Sequence, residues 1–308
     1  MNKHYLGLSF SSIKKSLGII LFAIFSFTQA QEPSNGLAPG QSLGLYLRIY
    51  SEPNLRDIGG YITQSGQTVI RGKTYRSNAF NAMSKDDELK LEVLQLKSDY
   101  DLRTPEEIKA EPDIIPSGIQ YISLNVMADH DLITPPRQIS EILQDPKTAS
   151  LKLGGVEGVN KLFISLYRDF VSLPSAQRSY RDLYLSLSDQ TKSPGVFHCT
   201  NGKDRTGWAA AALLTYLGVP KEVVYADYLR SNEYLLPVHQ KEIDQFIAKG
   251  GDKSIPVGIF GVKREYLQAA FDEVERQYGS IDIYFSEGLK LSPSEQQQIK
   301  SFYLDRVN

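Results

Sequence analysis

A nucleophile and a cation stand at a telling distance: Cys199 and Arg205, with five residues between them, in the run His198, Cys199, Thr200, Asn201, Gly202, Lys203, Asp204, Arg205, Thr206, Gly207. A loop of this length between a strand and a helix can curl until its backbone N–H groups point inward, making an anion nest above the helix N-terminus. Its natural guest is a tetrahedral oxyanion such as phosphate. Thr200, Asn201, Gly202 and Lys203 would line the nest together with Arg205. Cys199 at its base would meet inward amides, the helix dipole and Arg205, surroundings in which a thiol of pKa ~8.5 can fall to roughly 3.5–7.5. Arg205 can hold two phosphoryl oxygens in its planar fork as the phosphorus becomes trigonal bipyramidal, a bidentate grip that lysine lacks. The Thr206 hydroxyl is placed to bond the sulfur and help it leave when a phosphocysteine is hydrolysed. Gly202 and Gly207 permit a tight turn and close helix packing, and His198 orders the loop from behind.

A lone cysteine after an apolar strand is ordinarily an inert, buried small side chain. Against that stands the pattern: with glycine at about 7% per position, two at these places occur by chance about once in 200. Cys199 is the sole cysteine. No intramolecular disulfide can form, and a thiol redox enzyme or an arsenate reductase would lack the second thiol that resolves the first.

The elements that must position this loop follow from local pattern. Val196 and Phe197 make a short apolar strand running into His198, and 206–217 reads as a buried helix stopped by Gly218 and Pro220. Upstream, Ser84 and Asp87 open an amphipathic helix to about Leu96, and a short strand ends at 100–102. Thr104, Pro105 and Glu107 then form a capping box, so a helix begins just after Arg103. A strand is expected over 119–126, with Asp129, His130 and Asp131 beyond its end. Helices are expected at 159–171, 176–187, 221–235, 238–248 and 263–278, and a last one is capped by Ser292. The alternation indicates an α/β architecture, without internal repeats or a linker long enough to mark a second domain.

The chain has 308 residues with 41% hydrophobic and 23% charged side chains, the balance of an ordinary globular protein. Near the N-terminus Lys3, Lys14 and Lys15 precede an apolar run from Leu17 to Phe27, then Thr28, Gln29 and Ala30. That is the layout of a secretory signal, about 11 apolar residues against the ~20 that span a bilayer. Residues 1–30 are therefore expected to be a signal peptide, 31–44 a flexible lead-in and 45–308 one catalytic domain. The alternative is an uncleaved membrane anchor; either way the remainder is expected to be exported, to a periplasm or the medium. Losing the three signal lysines moves the net charge from −2 to −5, which disfavours nucleic-acid binding.

The run from His198 to Gly207 resembles the signature loop of the bacterial atypical tyrosine phosphatases, members of the cysteine-dependent phosphatase superfamily with tyrosine, dual or phosphoinositide specificity. Asn54 to Tyr61 is similar to the family's N-terminal motif, and Tyr75, Arg76, Ser77 to the one that follows. Asp101, Leu102, Arg103 with Glu106 and Glu107 resembles its strand-to-helix element, and 228–235 and 278–303 also look familial. The resemblance implies a central, mainly parallel sheet flanked by helices, no cofactor, and a phosphorylated protein or phosphoinositide as the partner. It also implies Cys199 as nucleophile and Arg205 as transition-state clamp. Asp204 is the candidate general acid, because the mobile acid loop of conventional tyrosine phosphatases, with its Trp and Pro, is absent; the only Trp is Trp208. Asp129 and Asp131 are rivals for that role. Asn54, Arg56 and Asp57 are implied supports near the loop. Lys203 would add a second cation at the rim, which admits a polyphosphorylated inositol, or else be solvated.

Other constellations fail on spacing. Asp129, His130 and Asp131 lack the paired-histidine pattern of a metal site, so no metal is expected. A nucleotide-binding loop would need glycine where Phe197 stands and Ser or Thr where Asp204 stands. A phospholigand-binding module that no longer turns over needs neither nucleophile nor acid, and both are present.

Overall fold

The computed structural model describes residues 44–130 and 141–305; the expected signal, the lead-in up to residue 43 and Asp131 lie outside them. The described chain belongs to one compact unit. Its five-stranded sheet consists of β1 (Arg56–Asp57), β2 (Thr74–Ser77), β3 (Ser98–Asp101), β4 (Gln120–Ser123) and β5 (Gly195–His198), in the order β1-β2-β5-β3-β4. Only β1 runs antiparallel to its neighbour; β2, β5, β3 and β4 are parallel. The expected sheet architecture is therefore the observed one.

The helices are α1 (Lys85–Glu92), α2 (Pro105–Ala110), α3 (Pro146–Leu153), α4 (Gly155–Ser172), α5 (Pro174–Leu187), α6 (Arg205–Tyr216), α7 (Lys221–Leu229), α8 (Ser231–Val238), α9 (Gln240–Ala248), α10 (Ser254–Phe260), α11 (Arg264–Tyr278), α12 (Ile281–Ile283), which runs into a π turn at Tyr284–Gly288, and α13 (Pro293–Tyr303). Helix α6 is buried on nearly every side from Thr206 to Leu214, which is why its sequence is apolar all round. Trp208 lies within it, packed against Phe271 and Tyr284. The large core carries α4, α6 and α11, while a smaller apolar cluster of Leu55, Tyr75, Phe80, Leu91, Leu96 and Val196 draws on α1. Central strand β5 contributes Phe197 to the first and Val196 to the second, alternating as a strand buried on both faces must.

Register decides where the chemistry goes. Ser77, His198 and Asp101 are aligned across β2, β5 and β3, so the loops leaving all three strands open at one carboxyl-end edge, where ligands bind in open parallel sheets.

Several expected boundaries shift. Helix α1 ends at Glu92 rather than near Leu96. The strand expected over 119–126 pairs only at Gln120–Ser123, an edge strand with an exposed face. The single helix expected over 221–235 breaks at Arg230, where the Asp227 carbonyl accepts from Arg56 Nη2 at 3.1 Å as well as from the Arg230 amide at 3.2 Å. Helix α3, capped by Asp145 with Pro146 at its first position, and the short α10 had not been expected. Among the described residues no helix is long and apolar enough to cross a membrane.

Candidate active site

The signature loop leaves β5 at His198 and returns at Arg205, the first residue of α6. Three successive carbonyls are turned outward: Thr200 O accepts from the Ala79 amide at 3.1 Å, Asn201 O from Asn54 Nδ2 at 2.9 Å, and Gly202 O from Arg76 Nη2 at 2.9 Å. A trans peptide sets its N–H opposite its C=O, so the amides of Asn201, Gly202 and Lys203 face the inside of the curl. That orientation is the one an anion nest needs. Gly202 has φ of +63°, and a Cβ there would run into the Ser77 carbonyl, so glycine is required on both counts. Cys199 is 2% exposed at the root of the loop.

Arg205 is held by Glu107, which the sequence showed as a capping-box residue of α2. Its Nη1 donates to Glu107 Oε2 at 2.6 Å and its Nη2 to Glu107 Oε1 at 2.7 Å, a bidentate pair. Glu107 also accepts from the Thr104 amide at 2.9 Å, closing the capping box of α2, and from Thr200 Oγ1 at 2.7 Å. Burial alone would raise this carboxyl, but the Arg205 charge and these hydrogen bonds bring it down to about 2. Desolvation opposes the Arg205 charge, yet Glu107, with Cys199 and Asp204 nearby, pushes its pKa higher still. Glu107 occupies the Nη1–Nη2 edge, and among the described residues Nε donates to nothing, which leaves the Nε–Nη2 edge for a phosphoryl group.

Asp204 and Lys203 differ from expectation. Lys203 is not a solvated rim cation: it is 1% exposed, its Nζ lies 2.8 Å from Asp204 Oδ2 and 2.9 Å from Oδ1, and it sits 4.4 Å over the Phe163 ring. Asp204, whose side chain keeps 21% exposure, also accepts from Tyr167 Oη at 3.1 Å. The Thr206 hydroxyl is buried and makes no hydrogen bond, so the expected bond to the Cys199 sulfur is not formed. Gly207 does allow close packing, because a Cβ there would stand 3.1 Å from the Tyr228 ring.

The remaining candidates divide. Asn54 and Arg56 support the loop, Asn54 directly and Arg56 through a bond to Asn54 Oδ1 at 2.6 Å and an ion pair with Asp227 at 3.0 Å. Asp227 also pairs with Arg76 at 2.9 Å and accepts from Tyr61 at 2.8 Å. Two buried guanidiniums to one carboxylate leave a net positive charge directly behind the nest. Asp57 does not support the loop: its carboxylate takes the Gly59 and Gly72 amides at 2.7 and 2.8 Å and closes a separate turn. Asp129 is not poised as an acid either, because it caps α5 through the Ser175 amide at 2.6 Å and pairs with Arg178 at 3.3 Å. Asp131 lies outside the described residues.

His198 stands behind the loop, fully buried, with Nε2 3.2 Å from Asp99 and 3.5 Å from Asp113, and Nδ1 3.9 Å from Asp101. Desolvation opposes its charge, but the three carboxylates prevail and push the imidazole up to about 10. Asp99, Asp113 and His198 are also the one set of described side chains with metal-ligand spacing. A protonated Nε2 has no lone pair to offer, so the set fits an ion-pair cluster better than a metal. Arg103 pairs with Asp101 at 2.7 Å and Asp113 at 2.6 Å.

The residues that sequence reasoning had not singled out as site residues are Glu107, Arg76, Asp227 and Tyr167. Glu107 was visible as a capping-box residue, and Arg76 stood in a quoted motif. Neither motif carried the address of its partner.

Comparisons with known proteins agree with this geometry. Residues 47–305 match the model of the tyrosine phosphatase family. A Cupriavidus necator protein provisionally named a tyrosine-protein phosphatase is 26% identical over 254 residues, 82% of this chain and 85% of that one. The triple specificity protein phosphatase PtpB of Mycobacterium tuberculosis is 26% identical over 256 residues, 76% of this chain and 90% of its own. A tyrosine-protein phosphatase of Nostoc commune shares 26% over 216 residues, 68% of this chain and 67% of that one. The core catalytic domain of the PP-IP phosphatase SIW14 from S. cerevisiae aligns at 14% identity over 70% of this chain and 91% of its own, with a TM-score of 0.27, too loose a likeness to argue from. A family match over residues 47–305, most of the chain, places this chain in the tyrosine phosphatase family.

Proposed function

We propose that this protein hydrolyses phosphotyrosine monoesters through a phosphocysteine intermediate. The observation that carries the reading is the bidentate Glu107–Arg205 pair, which fixes a cation over an inward-amide loop rooted at Cys199. The Cys199 sulfur attacks phosphorus, an S–P bond forms as the P–O bond to the phenol breaks, and Asp204, having taken up a proton from solvent, gives it to the departing oxygen. A water then attacks phosphorus, Asp204 takes its proton back, and the thiolate leaves with inorganic phosphate. The inward amides and the Nε–Nη2 edge of Arg205 hold the equatorial oxygens throughout, as preorganised donors do best in a water-poor site.

Lys203 no longer argues for a phosphoinositide, since its charge is engaged by Asp204 beneath the surface. A broader monoester range is the second reading, favoured by the likeness to a relative named for triple specificity. Export by the N-terminal segment, with cleavage after Ala30, belongs to the same proposal and is checked by the N-terminus of the mature protein.

The test is phosphate release by residues 31–308, with reductant and EDTA, on phosphotyrosine, phosphoserine and phosphothreonine peptides and on phosphoinositides. Turnover that survives chelation and vanishes in Cys199→Ser supports the mechanism, and the ranking of substrates decides between the two readings. Full turnover in Cys199→Ser would sink it.

A further inference from the structure

Asp204 is the proton donor of the proposed reaction, and a donor on a loop needs something to aim it. Two buried tyrosines reach it from outside the loop. Tyr167 of α4 is fully buried, and its Oη lies 3.1 Å from Asp204 Oδ1 and 2.6 Å from Tyr228 Oη of α7. A phenol has one proton. When Tyr167 donates it to Asp204, the 2.6 Å contact can only be filled by the Tyr228 proton. The hydrogen bonds then run in one direction, from Tyr228 through Tyr167 to the carboxylate.

Packing fixes both members. The Tyr167 ring lies against Phe170 at 5.1 Å, Tyr228 at 6.0 Å and Tyr266 at 6.2 Å. Tyr228 reaches the start of α6 because position 207 is glycine, whose missing Cβ leaves room for its ring. Both hydroxyls are shut away from water, so neither has an alternative partner in solvent, and a bond in such surroundings is stiffer than its exposed equivalent. Asp204 is also held by Lys203, which bridges Oδ1 at 2.9 Å and Oδ2 at 2.8 Å and is itself seated on Phe163. The partly exposed carboxylate is thus held by two buried donors, Tyr167 and Lys203.

We infer that Tyr167, backed by Tyr228, is a positioning residue that aims the Asp204 carboxyl at the departing oxygen of the substrate. The inference rests on the proposed role of Asp204 and deepens it. It assigns a catalytic consequence to two hydroxyls that the fold alone does not require, because phenylalanine at either place would fill the same space.

The readout that separates aiming from mere packing is the dependence of kcat/KM on the leaving group. Protonation matters most when the departing phenol is weakly acidic and least when it is strongly acidic. General acid catalysis contributes typically 10²- to 10⁴-fold, so a misaimed donor should forfeit a visible part of it on poor leaving groups. The experiment measures kcat/KM over a series of aryl phosphates of graded phenol acidity for the parent protein, Tyr167→Phe, Tyr228→Phe, Asp204→Asn and the Tyr167→Phe/Asp204→Asn double variant.

In the supporting result, the loss in Tyr167→Phe is at least fivefold larger for the poorest leaving group than for the best. Tyr228→Phe follows in the same direction with a smaller change, and the double variant is no steeper than Asp204→Asn. A steep Asp204→Asn combined with an equal loss on every ester in Tyr167→Phe overturns the inference alone and leaves Asp204 as the donor. A flat dependence in Asp204→Asn overturns both. Should Tyr167→Phe fail to fold, Tyr228→Phe carries the test, since uniform loss there contradicts the directional chain.

Discussion

At Arg205 the useful property of a guanidinium is that it has two edges. Glu107 takes one at 2.6 and 2.7 Å, and that hold orients the other. Glu107→Gln keeps the shape and the capping-box geometry but removes the charge; kcat/KM is expected to fall roughly 10- to 100-fold with a smaller change in fold stability, read by steady-state kinetics and denaturant unfolding. Arg205→Lys removes the bidentate grip itself and should cost about 10²- to 10³-fold in kcat. The carboxyl of Glu107, held at about 2, lies below the usual carboxylate value. Its contribution to stability is therefore complete above pH ~4.5 and is lost as pH falls through the folded value. Cysteine, glycines and arginine of the loop were legible in the sequence because their spacing is local, a few positions within one loop. Glu107 is 98 residues from Arg205, and a capping box explains a glutamate so completely that nothing prompts a search for a second role. Lys203 shows the opposite failure: a charged residue in a mouth-forming loop reads as exposed, and only the proximity of Phe163 from α4 puts it under cover.

Between elements, the site depends on Asp227, one carboxylate that ties β1, β2 and α7 to the loop. It binds Arg56 and Arg76 at 3.0 and 2.9 Å, and Arg76 in turn holds the Gly202 carbonyl. Desolvation works against its charge, yet the two arginines and Tyr61 keep it ionised far below the usual range. Asp227→Asn leaves two buried guanidiniums facing a neutral amide. Breaking such a buried network costs about 3–5 kcal/mol, and the loss is expected to appear as an earlier urea midpoint together with a higher KM, because the nest loses an outer strut. A variant of unchanged midpoint would show the hub to be dispensable. The sequence made the α/β alternation, the capped helices α2 and α13 and the strand-loop-helix of the site legible, because caps and apolar runs are local signals; the mainly parallel sheet was implied by the family resemblance alone. It hid the break at Arg230, since a side chain from β1 takes the Asp227 carbonyl there. It also hid α10, whose Ile, Pro, Val and Gly are poor helix formers kept helical by burial.

For the molecule as a whole, the loop is backed by buried charges of both signs, with carboxylates gathered around His198. Behind His198 lie Asp99, Asp101 and Asp113, and Glu52 stands within electrostatic reach of His198 and Asp113. Burial raises Glu52 to about 9, so near neutrality it keeps its proton in the folded protein and loses it on unfolding. His198, raised to about 10 by its carboxylates against the cost of burial, behaves the same way. Both folded values lie above the unfolded ones, so the stability these groups contribute is complete below their ordinary values. It is lost as pH climbs from about 4.5 to 9 for Glu52 and from about 6.5 to 10 for His198. Urea midpoints at pH 4, 6, 8 and 10 should therefore fall on the alkaline side well before the tyrosines ionise. Glu52→Gln removes one of the two titrations while keeping an acceptor for Asn78, which bonds Glu52 at 2.6 Å. It is expected to match the parent at pH 4, to exceed it by about 5 kcal/mol at pH 8, and to retain only the slope due to His198. Parallel curves for the two proteins would mean that Glu52 is ionised in the fold, and that the charge of His198 is shared among four carboxylates rather than three. Since His198 precedes Cys199 directly, the alkaline limit of the fold and that of the site should coincide.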